Sequence, residues 1–336
     1  MELRRSDPSE PGITRRRYGR GFRYRDADGS TLDDAAALAR IEDLVIPPAW
    51  RRVWICAYPE GHIQAVGRDS KGRLQYIYHP QWREERDEAK FARMSGFAKA
   101  LPALRRRLDA DVAARGPGRD RVLAAALLLL DAIALRPGNE EYTDDNGSFG
   151  LATLRDSHVV LSGEEVRLEF PAKGGGVGRY RVADGRIVRV FRAVRRAGNP
   201  TGRALAYRAD DGWHAVHADA INSRLKELTG EDFTAKDFRT WNATVLAAVA
   251  LGEASGDGDP GEAVKVALRR VADALGDTVA VARDSYVDPR VVAAFESGRT
   301  IAATLRRCSR AAMSPGERRE AIERAVGRLV ARRRRD

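Results

Sequence analysis

The 336-residue sequence predicts an α+β protein, a small antiparallel β-rich amino-terminal domain followed by a larger, mainly helical one. Three observations carry that reading. Residues 53–79 hold three short runs rich in β-branched and aromatic side chains, separated by Gly-bearing turns. Residues 122–130 form a nine-residue apolar run between Arg121 and Asp131, the pattern of a buried central helix. From Pro80 onward the periodicity is mainly helical, with a β-like interruption at 158–182. A hydrophobic content of 43% is enough for real cores. The expected divisions are a β-rich domain at 1–80, a helical domain at 81–310 and a basic tail at 311–336.

The elements follow in order. Residues 1–25 read as extended, with Arg15-Arg16-Arg17 ahead of Tyr18-Gly19-Arg20-Gly21-Phe22-Arg23-Tyr24. Arginine alternating with aromatics suits an arm on a nucleic acid, where Arg pairs with phosphates and rings stack. A solvated leader plus one edge strand fits the same pattern. Thr31 reads as a helix N-cap with Asp34 at N3, and Leu38, Ile41 and Val45 share one face. Pro47-Pro48 stops that helix. Strands are expected at Val53–Tyr58, His62–Val66 and Leu74–His79.

Beyond Pro80, helices are expected at 81–97 and 98–114, ended by Gly116-Pro117-Gly118, and then at 121–135. Strands His158–Leu161, Val166–Phe170 and Arg179–Val182 follow, with Lys173-Gly174-Gly175-Gly176 between the last two. Helices resume at 185–197, 217–228, 234–252, 261–275, 290–310 and 316–335.

Charge sits at the ends. The whole chain is +11, residues 1–25 are +5 and residues 306–336 are +7, leaving 26–305 at −1. An anionic polymer is the natural partner. Seven of the 59 basic residues are Lys, so in a chain that defaults to Arg each Lys is a departure. Two distant cysteines, Cys56 and Cys308, exclude a disulfide framework and a Cys-rich zinc site and fit a reducing cytoplasm. Met1 to Asp7 contains no apolar core of a signal peptide, and the longest apolar run is too short to span a bilayer, so no membrane partner is expected.

The chain lacks a His-Glu-x-x-His helix, a phosphate loop, a dinucleotide Gly-rich turn, a nucleophile elbow and Cys/His metal spacing. Nothing calls for ATP, nicotinamide or zinc, and no cofactor is expected.

Four neighbourhoods could carry side-chain chemistry. Arg136 leaves the most apolar helix and needs an anionic partner there; a structural salt bridge to Glu140 or Glu141 is the alternative. Lys173 projects from a Gly-rich hairpin tip; a lysine can give up a proton where an arginine in effect cannot, and the alternative is a solvated turn. Lys236 and Arg239 lie three apart on one helix face at a helix start, an anion-facing pair or a capped surface helix. Tyr286 stands shortly before Pro289 and by itself reads as packing.

Together, in this order, these neighbourhoods resemble the type IB DNA topoisomerases, specifically the small bacterial and poxvirus-like branch. The resemblance extends over about 12–300. It includes Gly12-Ile13, Gly19-Arg20-Gly21-Phe22, Ile46-Pro47-Pro48-Ala49-Trp50, Val53-Trp54-Ile55, Gly67-Arg68-Asp69 and Tyr78-His79-Pro80. Further on it includes Asn146-Gly147-Ser148-Phe149-Gly150-Leu151, Thr153-Leu154-Arg155 and Lys236-Asp237-Phe238-Arg239-Thr240-Trp241. Each motif is weak; the ordered set is specific.

The resemblance implies the roles. Arg136 and Arg239 match the family's two catalytic arginines, Lys173 its hairpin lysine and Tyr286 its nucleophile. Lys236 would assist proton transfer or bind a neighbouring phosphate. Arg20, Arg68, Tyr78, His79 and Tyr142 are candidate DNA contacts. The family's fold implies a two-lobed clamp on duplex DNA, one monomer per DNA, with no ATP and no required metal. One position departs from the pattern. Nine residues before the nucleophile the family has His or Asn donating to a phosphate oxygen, and here Asp277 stands there. An ionised carboxylate cannot donate and would repel phosphate. Either Asp277 is protonated in place, or it is turned away, or the enzyme is weaker.

Two other classes compete. A tyrosine recombinase shares the Arg, Lys, Arg and Tyr chemistry, but carries His where this chain has Lys236 and has a helical amino-terminal domain. A non-catalytic DNA-binding protein would need the basic ends but neither Lys173 nor Tyr286.

Overall fold

The computed structural model describes residues 2–140, 143, 147–254 and 258–331. The chain divides into two compact units, residues 1–92 and 93–336.

The first unit is built on one antiparallel sheet. Its strands are β1 (Ile13–Tyr18), β2 (Gly21–Arg25), β3 (Arg51–Ile55), β4 (Ile63–Arg68) and β5 (Leu74–Tyr78), in the order β2-β1-β3-β4-β5. The extended arm is therefore a hairpin that widens the expected three strands to five. Its two-residue turn contains Gly19 at φ +55, a left-handed position that glycine fills without steric cost. Helix α1 (Ala35–Asp43) contributes Ile41 to a core with Ile13, Val53, Ile55 and Ala65.

Asp34, not Thr31, caps α1, accepting from the Ala36 and Ala37 amides at 2.8 and 3.4 Å. The apolar run starts directly after Asp34, so the nearer carboxylate takes the amides. Val45 does not share the buried face. It lies beyond the helix at φ +46 and is 80% exposed, turning the chain out before Pro47.

The second unit is mainly helical. Helix α2 (Pro80–Ala113) runs across the boundary between the units as one element, where two helices were expected. Pro102 interrupts its hydrogen-bond ladder. Burial of Phe97, Leu101, Leu104 and Leu108 on both sides of that proline holds the helix continuous. Helix α3 (Arg119–Ala132) is the expected central helix, with every residue from Val122 to Leu130 buried. It ends earlier than predicted, because Ile133 turns extended at φ −138 and ψ 142.

Strands β6 (Val159–Ser162), β7 (Glu165–Pro171) and β8 (Val177–Ala183) form a three-stranded antiparallel sheet in that order. Helix α4 (Gly185–Arg196) follows. A second hairpin, β9 (Ala206–Ala209) with β10 (Gly212–Ala215), was not predicted from strands this short. Helices α5 (Ala218–Thr229), α6 (Ala235–Glu253) and α7 (Pro260–Leu275) match the periodicity. A short α8 (Val279–Ser285) then precedes α9 (Pro289–Glu296) and α10 (Ala302–Arg310). The helix expected over 290–310 thus splits, at Gly298 with φ +72.

Residues Pro315–Ala331, inside the segment read by its charge as a basic tail, form the helix expected over 316–335, here α11, with Ala321, Val326 and Val330 buried. Among the described residues no helix is long and apolar enough to cross a membrane.

Candidate active site

The site is assembled by four segments of the second unit. The first is the extended stretch after α3 that carries Arg136. Its backbone is fixed by a short turn: Leu151 and Ala152 donate to the Arg136 and Pro137 carbonyls at 2.9 and 2.8 Å. Gly138, at φ +87, lies against Gly150. A Cβ on Gly150 would stand 2.8 Å from the Arg136 carbonyl, so this approach requires a residue without a side chain.

The second segment is the first turns of α6, where Asp237 accepts from the Thr234 amide at 2.7 Å and so caps the helix start. Lys236 and Arg239 part company there. Lys236 is exposed, while Arg239 is only 2% exposed and points inward. The third is the end of α7. Gly276 closes that helix in the left-handed region at φ +61, and the Asp277 amide reaches back to the Ala272 carbonyl at 3.0 Å. This turn aims the Asp277 side chain at both arginines.

Arg136 Nη2 donates to Asp277 Oδ1 at 2.5 Å, and Arg239 Nη2 donates to Asp277 Oδ2 at 2.6 Å. The carboxylate therefore bridges the two guanidinium groups, with each oxygen accepting from one of them. Asp277 is not turned away. Arg136 pairs with it rather than with Glu140, which instead pairs with Arg203 at 3.0 Å. Arg239 also donates to the carbonyls of Ala134 and, at 2.6 Å, Leu275. Its Nε is buried without a hydrogen-bond partner among the described residues. Burying a guanidinium this deeply requires a matched anion.

The fourth segment joins α8 to α9. Tyr286 closes α8, and Asp288 begins α9 by accepting from the Arg290 amide at 2.9 Å. Thr244 of α6 holds the junction, its hydroxyl lying 3.2 Å from the Tyr286 carbonyl and accepting from the Asp288 amide at 3.2 Å. The half-buried Tyr286 ring has the Arg239 guanidinium carbon 4.9 Å from its centre. Nothing local in the sequence joins these residues.

Lys173 occupies the exposed β7–β8 loop. Gly174 and Gly175 there have φ +96 and +84, and the Ala172 amide donates to the Gly176 carbonyl at 2.8 Å. Lys173 and Arg136 line one cavity of ≈ 910 Å³; Arg239, Asp277 and Tyr286 are outside its lining.

The first unit holds a different kind of site. Arg16 lies directly opposite Arg23 across β1 and β2, and Thr14 opposite Arg25. Like charges placed in this way repel unless an anion covers them. Tyr18, 58% exposed, has the Arg23 guanidinium 3.4 Å above its ring. Arg16, Arg23 and Arg25 were not singled out as contacts, although the Arg–aromatic alternation was the signal that contained them.

Of the residues that were singled out, Arg20 is in the β1–β2 turn and exposed. Arg68 and Tyr78 fall at opposite ends of the β4–β5 hairpin, and Tyr78 stacks with Tyr76 at 6.0 Å between ring centres. His79 follows at the start of α2, accepting from the Gln81 amide at 3.2 Å. Tyr142 lies outside the described residues.

The catalytic core of eukaryotic DNA topoisomerase I matches residues 79–309, and the N-terminal domain of bacterial DNA topoisomerase IB matches residues 21–69. DNA topoisomerase 1B of Acanthamoeba polyphaga mimivirus is 30% identical over 285 residues, which are 82% of this chain and 85% of that one. The chain belongs to the type IB DNA topoisomerase family. It is thus an enzyme of that family, as the ordered motifs implied. DNA topoisomerase 1B of vaccinia virus (strain Copenhagen) is 29% identical over 111 residues, 32% of this chain and 34% of that one. DNA topoisomerase 1 of Daucus carota is 33% identical over 129 residues, 38% of this chain and 15% of that one. A solved XerH site-specific recombinase bound to its difH substrate aligns at a TM-score of 0.39 and 14% identity, over 60% of this chain and 52% of that one. That likeness is too slight to bear on the reaction.

Proposed function

We propose that this type IB topoisomerase relaxes supercoiled duplex DNA by cutting one strand through Tyr286 and resealing it, without ATP. The observation that carries the reading is the convergence of Arg136 and Arg239 on a single carboxylate beside the Tyr286 ring. Two guanidinium groups that grip two carboxylate oxygens can grip two non-bridging phosphate oxygens in the same way.

Tyr286 Oη gives up its proton to water and attacks the phosphorus in line, forming a 3′-phosphotyrosine while the bond to the 5′ oxygen breaks. Lys173 supplies the proton that leaves with that oxygen as a 5′-hydroxyl. Such general acid catalysis contributes roughly 10²–10⁴ in rate. Arg136 and Arg239 stabilise the charge on the five-coordinate phosphorus; losing one such donor typically costs roughly 10²–10³. The covalent link retains the energy of the phosphodiester, so resealing is the reverse step and needs no nucleotide. While the strand is open, the duplex beyond the cut rotates. Side-chain cations supply the stabilising charge on this reading, so no metal is required. Lys236 binds a neighbouring phosphate. Asp277 must release the arginines for the phosphate to enter.

Plasmid relaxation in EDTA without ATP tests the proposal. Wild type is expected to change the linking number, and Tyr286→Phe is expected to bind DNA and leave it unchanged. Relaxation retained by Tyr286→Phe would refute the mechanism. Strand exchange confined to specific sites would favour a recombinase, and a mobility shift alone a binding protein.

A further inference from the structure

Helix α11 lies wholly beyond residue 309, where the catalytic-core match ends. Its inward charged residues close a ring with the end of α3. Arg319 Nη2 donates to both the backbone oxygen and Oδ1 of Asp131, each at 2.7 Å. Arg319 Nε donates to Glu323 Oε1 at 2.9 Å. From α2, Arg105 donates to both Asp131 oxygens at 2.9 Å and to the Glu323 oxygens at 2.7 and 2.8 Å. Two cations and two acids are thus matched, with Asp131 and Glu323 buried. Burial alone would lower the Arg105 pKa; the hydrogen bonds and charge of Glu323 and Asp131 overcome it and raise it.

Asp131 sits in the last turn of α3. A carboxylate there opposes the helix dipole, and the carbonyls of that turn lack partners within the helix. Arg319 answers both needs, neutralising the carboxylate and taking the Asp131 carbonyl. Asn242 adds to the same carbonyl at 3.3 Å. The chain then runs through Ile133 and Ala134, whose carbonyl accepts from Arg239, to Arg136. Arg318, Arg319 and Glu323 also line the cavity that contains Arg136 and Lys173.

We infer that Arg319 is a positioning residue for Arg136, and that α11 is thereby a working part of the cleavage site. It fixes the point from which the Arg136 segment departs, so that this guanidinium reaches the same anion as Arg239. The inference rests on the catalytic reading of Arg136 given above.

The test is the rate at which covalent complex, trapped by denaturation, forms on plasmid DNA with full-length enzyme in excess. Arg319→Ala is expected to slow cleavage roughly 10- to 100-fold, the cost of misplacing a reacting group by about 1 Å. Affinity for DNA should change less than about twofold, so that the loss falls on the chemical step. In an Arg136→Ala background the same substitution should cost nothing further. An equal loss in both backgrounds, or an unchanged wild-type rate, overturns the inference. Should Arg319→Ala melt below the assay temperature, Arg319→Lys keeps the charge without the fork and carries the same two-background comparison. Wild type that forms no covalent complex, or Tyr286→Phe that does, would sink the catalytic reading instead.

Discussion

The two units handle arginine in opposite ways. On the β1–β2 hairpin, Arg16 faces Arg23 across exposed strands, and no acid among the described residues pairs with either. In the second unit, Arg239 and Arg136 share Asp277, and Arg105 and Arg319 share Asp131 and Glu323. The exposed set carries no acidic partner among the described residues and loses little by that, since water screens it. The second set is less able to go without one, because Arg239, Asp131 and Glu323 are buried and an unmatched charge in the interior costs several kcal/mol. It therefore carries its own counter-ions. Asp277 is the one among them that the proposed mechanism has DNA displace, which would tie stability to activity at a single side chain.

Four substitutions would break or sharpen this contrast. The largest effect is expected at Lys173, the cation that the proposed mechanism uses to deliver a proton rather than to hold an anion. Lys173→Ala should slow single-turnover cleavage by roughly 10²–10⁴. A substrate whose leaving oxygen is replaced by sulfur needs no acid and should restore most of the rate; no restoration would remove Lys173 from the proton path.

Asp277→Asn comes next. It removes the shared counter-charge of Arg136 and Arg239 but keeps one accepting oxygen and gains a donor. Cleavage should rise and the melting temperature fall, by at most the roughly 3–5 kcal/mol lost when one partner of a buried ion pair is removed. A rate that stays level or drops, measured alongside thermal melting, would show that Asp277 does not compete with the phosphate.

The smallest effect belongs to the exposed hairpin. Arg16→Ala and Arg23→Ala should leave the cleavage rate at saturating DNA unaltered. Each should reduce the slope of log affinity against log salt by about 0.9, the value for one lost phosphate contact on duplex DNA. An unchanged slope in a filter-binding titration would mean that this face does not meet the backbone.

Local chemistry made much of the fold legible. The Val122–Leu130 run could only be a buried helix, and the 53–79 runs could only be strands between turns. The extended arm was legible too, though not as two paired strands, because pairing depends on a partner. The Pro102 helix was misread as two, since the packing that holds it together comes from residues far away in the chain. At the candidate site, the motifs pointed to Arg136, Lys173, Arg239 and Tyr286 as candidates but held none of their geometry. Lys236 and Arg239 share a helix face by spacing, yet only one is buried.

By itself, then, the sequence determined the family, the order of the elements and the side chains available for chemistry. Those depend on residue type and short-range spacing, and both are written along the chain. Only the tertiary structure decided that Asp277 bridges Arg136 and Arg239, partners 141 and 38 residues away. It alone decided that the carboxy-terminal helix clasps Asp131 from 188 residues away. No periodicity encodes such distances. They are fixed when buried charges, brought together by the packing of apolar helices, must each find an opposite charge.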